Sequence, residues 1–300
     1  MSPATRARLV QSDWLMAALA EAVTWAMYWQ PPDAEDVLLE DPRVVDALIP
    51  VATVIAAAVA VNWWTSPMCP DQQHCVAWLE PGQSRGQPPA LEGAPAQLAA
   101  WRAETRREER RAHNLPSDPA APYSGWWWST PRLTELVTTT RNLGALPAVQ
   151  LALVEDPPGF ERARVARLQP APGLRIFEIA SPQDWIELVQ RYPIDVSWSR
   201  RHDWWRVTRC SGPWLIPDWA AVGADYDGVH LTVLGYLSTA GRSLPVGDSN
   251  TLLAGFDPDV TYWLNDVLSQ ATEPETWHQV RRNEEFLAWE PESERPGSDI

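Results

Sequence analysis

His230 lies in Asp225-Tyr226-Asp227-Gly228-Val229-His230-Leu231-Thr232, where an imidazole, two carboxylates and a hydroxyl crowd into eight residues. Histidine gains and loses its proton near neutral pH, so a histidine beside an orienting carboxylate and a hydroxyl is a minimal acid–base set. If Val229–Leu234 is a strand, alternation puts His230, Thr232 and Leu234 on one face. Asp227 then stands just before the strand. Asp257-Pro258-Asp259 offers two more carboxylates, able to act as an acid–base pair or to cap a turn. The expected catalytic set is His230 as general base with Asp227, Thr232 and Asp259. The competing expectation is a hydrogen-bonded structural histidine, because the spacing matches no triad signature.

A second group is suited to binding. Nine of the 24 basic residues, all of them arginine, fall between Arg162 and Arg209. At its densest the run reads Arg200-Arg201-His202-Asp203-Trp204-Trp205-Arg206. A guanidinium matches carboxylate and phosphate geometry and stacks on aromatic faces. Arg200, Arg201, His202, Trp204, Trp205 and Arg206 are therefore the expected ligand-binding set, with Trp128 and Tyr236. The plainer alternative is that these arginines pair with the chain's surplus acids. Trp126-Trp127-Trp128 supports a cleft: in an extended segment Trp126 and Trp128 share one face and Trp127 takes the other.

Other chemistries find little support. Cys69, His74 and Cys75 lack the second ligand pair of a structural zinc site, so no metal and no cofactor are expected. There is no GxGxxG, Walker A, HExxH or GxSxG motif, which argues against dinucleotide-binding, P-loop, zincin and α/β-hydrolase chemistry. A net charge of −15 argues against non-specific nucleic-acid binding. The chain is acidic, lysine-free and rich in tryptophan, with 19. Three cysteines make no disulfide framework, and the start of the chain lacks the apolar run of a signal peptide. Leu48–Val61, LIPVATVIAAAVAV, is short for a membrane span and is expected to be a buried helix. A membrane-bound reading would require it to be exposed. The expected location is cytoplasmic, with no membrane partner.

Elements that would position these residues follow from caps and periodicity. Helices are expected over 12–30, from Asp33 to Leu39, from Asp41-Pro42 onward, and over the charge-dense Leu98–His113. The last of these reads as a solvated helix with interleaved charges. Strands are expected at Gly125–Ser129, Arg175–Ile179, Val196–Trp198, Trp204–Thr208, Trp214–Ile216, Thr251–Ala254 and Val260–Leu264. A hairpin is expected between Val149–Val154 and Arg162–Leu168. Ser181-Pro182 and Pro217-Asp218-Trp219 each start a helix that carries a buried tryptophan.

The fold expected is α+β: a helical N-terminal part, 1–115, packed on a mixed, mostly antiparallel sheet part, 123–270. A C-terminal helix and acidic tail would follow at 271–300. The functional expectation is a small-molecule-binding protein or enzyme with a pocket lined by arginine, tryptophan and histidine. Its ligand would be anionic and partly aromatic, and its chemistry, if any, group transfer or hydrolysis. The alternative is an acidic, non-catalytic interaction protein, of immunity or antitoxin type, that covers a basic protein partner.

Overall fold

The computed structural model describes residues 3–80, 90–132, 136–157, 159–281 and 287–292. Most of the expected linker (81–89), the start of the Leu133–Thr140 segment, Glu284, Glu285 and the tail from 293 lie outside these residues.

Helices open the chain: α1 (Pro3–Arg8), α2 (Ser12–Thr24), α3 (Ala34–Leu39) and α4 (Pro42–Ala56). Their starts are written in the sequence. Asp33 accepts from the Glu35 and Asp36 backbone N–H groups while the Asp36 side chain takes the Asp33 N–H, a reciprocal capping box. Asp41 caps α4, with Pro42 at the position where a missing N–H costs nothing. Helix α2 buries Leu15, Leu19 and Val23 at four-residue spacing. Helix α4 buries nothing, which corrects the expectation for Leu48–Val61. The chain bends by 96° between α4 and the 3-10 turn Val59–Thr65. Of this apolar run, only Ala58 and Val61 are buried, with Ile55 packed beside them.

Strand β1 (His74–Trp78) and the long helix α5 (Ala94–Ala112) follow. Strand β1 lies within the N-terminal part expected to be helical, and it pairs antiparallel with β3 (Arg162–Pro170), beyond β2 (Thr138–Thr139). The expected hairpin with Val149–Val154 does not form; Val149–Leu151 is a 3-10 turn. Next come β4 (Ile176–Ile179), α6 (Pro182–Arg191), β5 (Pro193–Asp195), α7 (Ser197–Thr208), β6 (Leu215–Pro217), α8 (Trp219–Asp225), β7 (Gly228–Leu231) and α9 (Val233–Thr239). The chain ends in β8 (Leu244–Val246), β9 (Ser249–Thr251), β10 (Thr261–Trp263), β11 (Leu268–Gln270), β12 (Glu275–Arg281) and β13 (Leu287–Pro291).

The architecture is α+β, with helices concentrated towards the N-terminal part and strands towards the C-terminal part. One sheet runs β1-β3-β12-β13, with β11 also on β3. The other runs β2-β10-β7-β4, antiparallel except for β4 beside β7. Further regions differ from the sequence expectation. Residues 197–208 are one helix rather than two strand pieces. Residues 275–281 and 287–291 form the antiparallel pair β12·β13 rather than a helix. Thr276, Trp277 and Val280 favour a pleated surface, and β3 supplies an edge for them. Residues 125–128 belong to no strand.

The four-stranded sheet is covered on both faces. Phe177, Ile179, Val229, Leu231 and Tyr262 face the main core with Trp185 and Trp219. Ile176, Val137 and Trp263 face a smaller cluster with Met68, Cys75 and Leu168. The tryptophans near the starts of α6 and α8 are fully buried, and each indole donates, Trp185 to Thr251 Oγ1 at 3.1 Å and Trp219 to the Ser129 carbonyl at 2.9 Å. Truncating either to alanine would cost about 3–5 kcal/mol. Among the described residues no single helix is long and apolar enough to cross a membrane.

Candidate functional site

Strand register sets the first polar cluster. Glu178 on β4 and Thr261 on β10 flank His230 on β7 as direct cross-strand partners. Alternation keeps all three on the face of the smaller cluster. His230 Nδ1 lies 2.6 Å from Glu178 Oε2, and its Nε2 lies 3.5 Å from Asp259 Oδ1. Asp259 also accepts from Arg141, through Nε at 2.6 Å and the backbone N–H at 3.0 Å. Arg141 donates onward to the Ser66 and Pro67 carbonyls, each at 3.1 Å. Glu178 Oε1 takes the Met68 N–H at 2.9 Å.

His230, Asp259 and Arg141 are buried, whereas the Glu178 side chain is 30% exposed. Burial works against a proton on His230, the two carboxylates work for it, and its pKa lies above the ordinary histidine value. When protonated, the ring donates to an acceptor on each side. Both Glu178 oxygens and both imidazole nitrogens are engaged within the protein, so the cluster is a closed relay with one edge near solvent.

Asp257, the other carboxylate of the same turn, enters a different cluster. Its Oδ1 accepts from the Glu155 N–H at 3.0 Å, and its Oδ2 is buried without a hydrogen-bond partner among the described residues. Glu155 accepts from the Tyr236 hydroxyl at 2.8 Å. Burial pushes Asp257 up to about 7. Burial, followed by the Asp257 charge, pushes Glu155 up to about 8. Tyr236 and Tyr28 are raised as well, first by burial and then by Glu155. Burial outweighs the Arg242 charge, which pulls Tyr28 the other way, so each of these groups is shifted towards its protonated form.

A third region contains the cavity. It holds about 270 Å3 and is lined by Trp101, Glu104, Thr105 and Glu108 from α5, by Trp126, Trp128, Thr130 and Arg132, and by Arg200 from α7. Trp126 and Trp128 do share a face here, their ring centroids 5.8 Å apart. The Arg132 guanidinium sits 4.4 Å from the Trp126 centroid and 5.6 Å from that of Trp128. Trp128 lies against Gly255, whose φ of 73° and lack of a Cβ leave room for the ring. Arg200 is 3% exposed, and burial lowers its pKa to about 10. Its Nε donates to the Trp128 carbonyl at 3.2 Å and its Nη1 to Ser199 Oγ at 3.1 Å. The carboxylate it approaches is Glu108, at 3.8 Å. Glu108 is half-buried, and its pKa is raised by burial against the opposing pull of Arg200.

Packing of α5 on α7 and α8 assembles this wall. Leu98, Thr105 and Ala112, seven residues apart, are buried. Glu109 accepts the Trp198 and Ser199 N–H groups at 2.8 and 2.9 Å, capping α7 from another helix. Arg102 binds Asp218, the residue before α8, at 2.6 Å. The helix expected to be solvated is therefore a docked one.

The residues expected from sequence fall into separate places. His230 meets Asp259. Asp227 instead accepts from the Arg175 N–H at 2.9 Å and from Asn265 at 3.3 Å. Thr232 leaves the strand and caps α9, accepting the Gly235 N–H at 2.9 Å. Gly235 is required there, because a Cβ would run into the Ile179 carbonyl. Arg200 and Trp128 come together at the cavity. Arg201 donates to the Leu115 carbonyl at 2.9 Å and stacks 4.5 Å from the Trp198 centroid. His202 Nδ1 lies 3.3 Å from the Pro119 carbonyl, and burial lowers its pKa. Trp204 is fully buried and donates to the Trp127 carbonyl at 2.8 Å. Trp205 carries Arg209 over its ring at 4.7 Å, and Arg206 pairs with Asp203. Tyr236 belongs to the Glu155 cluster.

Two residues of the relay, Glu178 and Arg141, carried no candidate role in the sequence. A carboxylate inside the apolar strand IFEI was a visible signal for the first; Arg141 had none. Among the described residues no group of three or more His, Cys, Asp or Glu is arranged to hold a metal ion. Comparison with known protein families, with curated proteins and with solved structures returned no match.

Proposed function

We propose that this chain is a small-molecule-binding protein whose site is the cavity between α5, α7 and the Trp126–Arg132 segment. The ligand is partly aromatic and carries an anionic group. The observation behind this reading is Arg200: a buried guanidinium lines a cavity beside two tryptophan faces, with its nearest carboxylate 3.8 Å away. A planar ligand stacks on Trp126 and Trp128, and its carboxylate or phosphate reaches Arg200. Glu104 and Glu108 add acceptors for a hydroxyl or amine on the same ligand. If the protein also performs group transfer or hydrolysis there, Glu108 is the acid–base group at hand; His230 is not among the lining residues.

The test is a thermal-shift and tryptophan-fluorescence titration with nucleotides, aromatic carboxylates and acyl-CoAs. It compares the wild type with Trp128→Ala and Arg200→Gln. A member of this class raises the melting temperature of the wild type by mass action and loses at least about tenfold in affinity in both variants. The proposal fails if no member shifts the wild type, or if the shift is the same in all three proteins. Trp128 is exposed, so its truncation leaves the core intact.

A further inference from the structure

Helices α3 and α4 carry an apolar surface that the described residues leave uncovered. Val37, Leu38, Leu39, Val45, Leu48 and Ile49 are each between 45% and 61% exposed. Helix α4 has 15 residues and no buried side chain. Its sequence is a poor helix former on its own. It holds Pro50 in its interior and seven β-branched residues: Val44, Val45, Ile49, Val51, Thr53, Val54 and Ile55. Isolated helices of this length are marginal in water even for alanine-rich sequences. An amphipathic helix gains its stability from burial of its apolar face, and the described residues do not supply that burial here.

The charge around the patch says what kind of body covers it. Between residues 33 and 49 there are six carboxylates (Asp33, Glu35, Asp36, Glu40, Asp41, Asp46) and one guanidinium, Arg43. Arg43 is already committed to Asp41 at 2.6 Å. An acidic rim is repelled by an anionic lipid surface, and it lacks the lysines and arginines of membrane-surface helices. A second copy would set one acidic rim against another. The complementary object is apolar at its centre and basic at its edge.

We infer that the α3–α4 face is the docking surface for a basic amphipathic helix of a partner protein. The partner's apolar side chains lie on Val45, Leu48 and Ile49, and its lysines or arginines reach the rim carboxylates. This surface is separate from the cavity, so the two proposals stand or fall independently.

The probe is a fluorescent peptide of about 18 residues containing only leucine and lysine in amphipathic order, with a leucine–glutamate counterpart as control. Binding is read by anisotropy near ~0.15 M salt, where exposed charges are largely screened beyond about 8 Å. The proteins are the wild type, the double variant Leu48→Asn/Ile49→Asn and, as a control for general stickiness, Leu234→Asn, at an exposed leucine of the otherwise largely buried α9. The expected result is saturable binding of the lysine peptide to the wild type and to Leu234→Asn. The double variant should lose at least about tenfold. The glutamate peptide should fail to bind. The double variant should keep the wild-type melting temperature and the wild-type response to the cavity ligand, since neither residue is buried.

Four results overturn the inference. The first is no binding of the lysine peptide. The second is equal binding to the double variant, which would mean charge attraction alone. The third is wild-type-only binding to phosphatidylcholine or phosphatidylglycerol vesicles, which would make the surface a membrane contact. The fourth is a wild-type dimer in sedimentation that the double variant dissolves, which would assign the face to a second copy.

Discussion

Asp257 and Asp259 leave one turn in two directions and meet opposite electrostatic surroundings. Asp259 is buried between the Arg141 guanidinium at 2.6 Å and the His230 ring at 3.5 Å. Its φ of 62° is a left-handed conformation that aspartate and asparagine tolerate better than most residues. Asp257 is equally buried, but its neighbours are Glu155 and, through Glu155, Tyr236. One carboxylate sits between a guanidinium and an imidazole; the other is pushed towards its neutral form, with one oxygen unpartnered among the described residues. Burial alone therefore says little about a charged group's contribution. The identity of the groups placed around it decides the sign.

The largest test of this contrast is Asp259→Asn. Asparagine keeps the left-handed backbone and the side-chain shape but removes the charge between Arg141 and His230. Urea unfolding should show a loss of about 3–5 kcal/mol, the usual cost of leaving a buried partner uncompensated. A loss under about 1 kcal/mol would mean that the relay adds nothing to the fold, and the comparison would collapse.

Asp257→Asn should move the other way. Its amide oxygen can still accept the Glu155 N–H, and the carboxylate that disfavours ionisation of Glu155 is gone. At about pH 8 the variant should be more stable than the wild type, by about 1–3 kcal/mol. Destabilisation of the same size at that pH would show that the Asp257 charge has a partner after all.

The smallest effect is in the pH profile. Asp257 and Glu155 bind protons more tightly folded than unfolded, so the folded state carries more protons between the ordinary carboxylate range and about pH 8. Stability must fall as pH rises through that window. His230 adds to the same trend: its raised pKa stabilises the fold below the ordinary histidine value, and that contribution is lost as pH rises through the raised one. Unfolding free energy measured between about pH 5 and about pH 9 should decline for the wild type and decline less steeply for Asp257→Asn. Parallel profiles would separate Asp257 from the titration.

Much of the local structure was legible before any tertiary contact was known. Asp33, Asp41 and Ser181 cap helices as their side-chain chemistry requires. Trp185 and Trp219 stand near the starts of α6 and α8 and enter the core, although Asp218 before α8 makes no side-chain cap. The strands at Arg175–Ile179 and Val260–Leu264 form within those bounds. Tertiary contacts overrode local signals elsewhere. Val196–Trp198 and Trp204–Thr208 have strand-like side chains, yet they form α7 because Glu109 of α5 supplies the two acceptors its first turn needs. The apolar run Leu48–Val61 reads as core, and α4 nevertheless stands uncovered.

The sequence by itself determined which side chains were eligible for chemistry: His230, the Asp257-Pro258-Asp259 turn, Arg200 and the tryptophan run. Residue type and period-two alternation carry that information locally. Only the tertiary structure decided their company. Strand register set Glu178 beside His230, a left-handed residue aimed Asp259 at Arg141 while Asp257 took the other side, and the docking of α5 on α7 closed a cavity around Arg200 and Trp128 but not around His230. Register and helix docking are set by contacts between residues far apart in the chain, and no short stretch of sequence contains them.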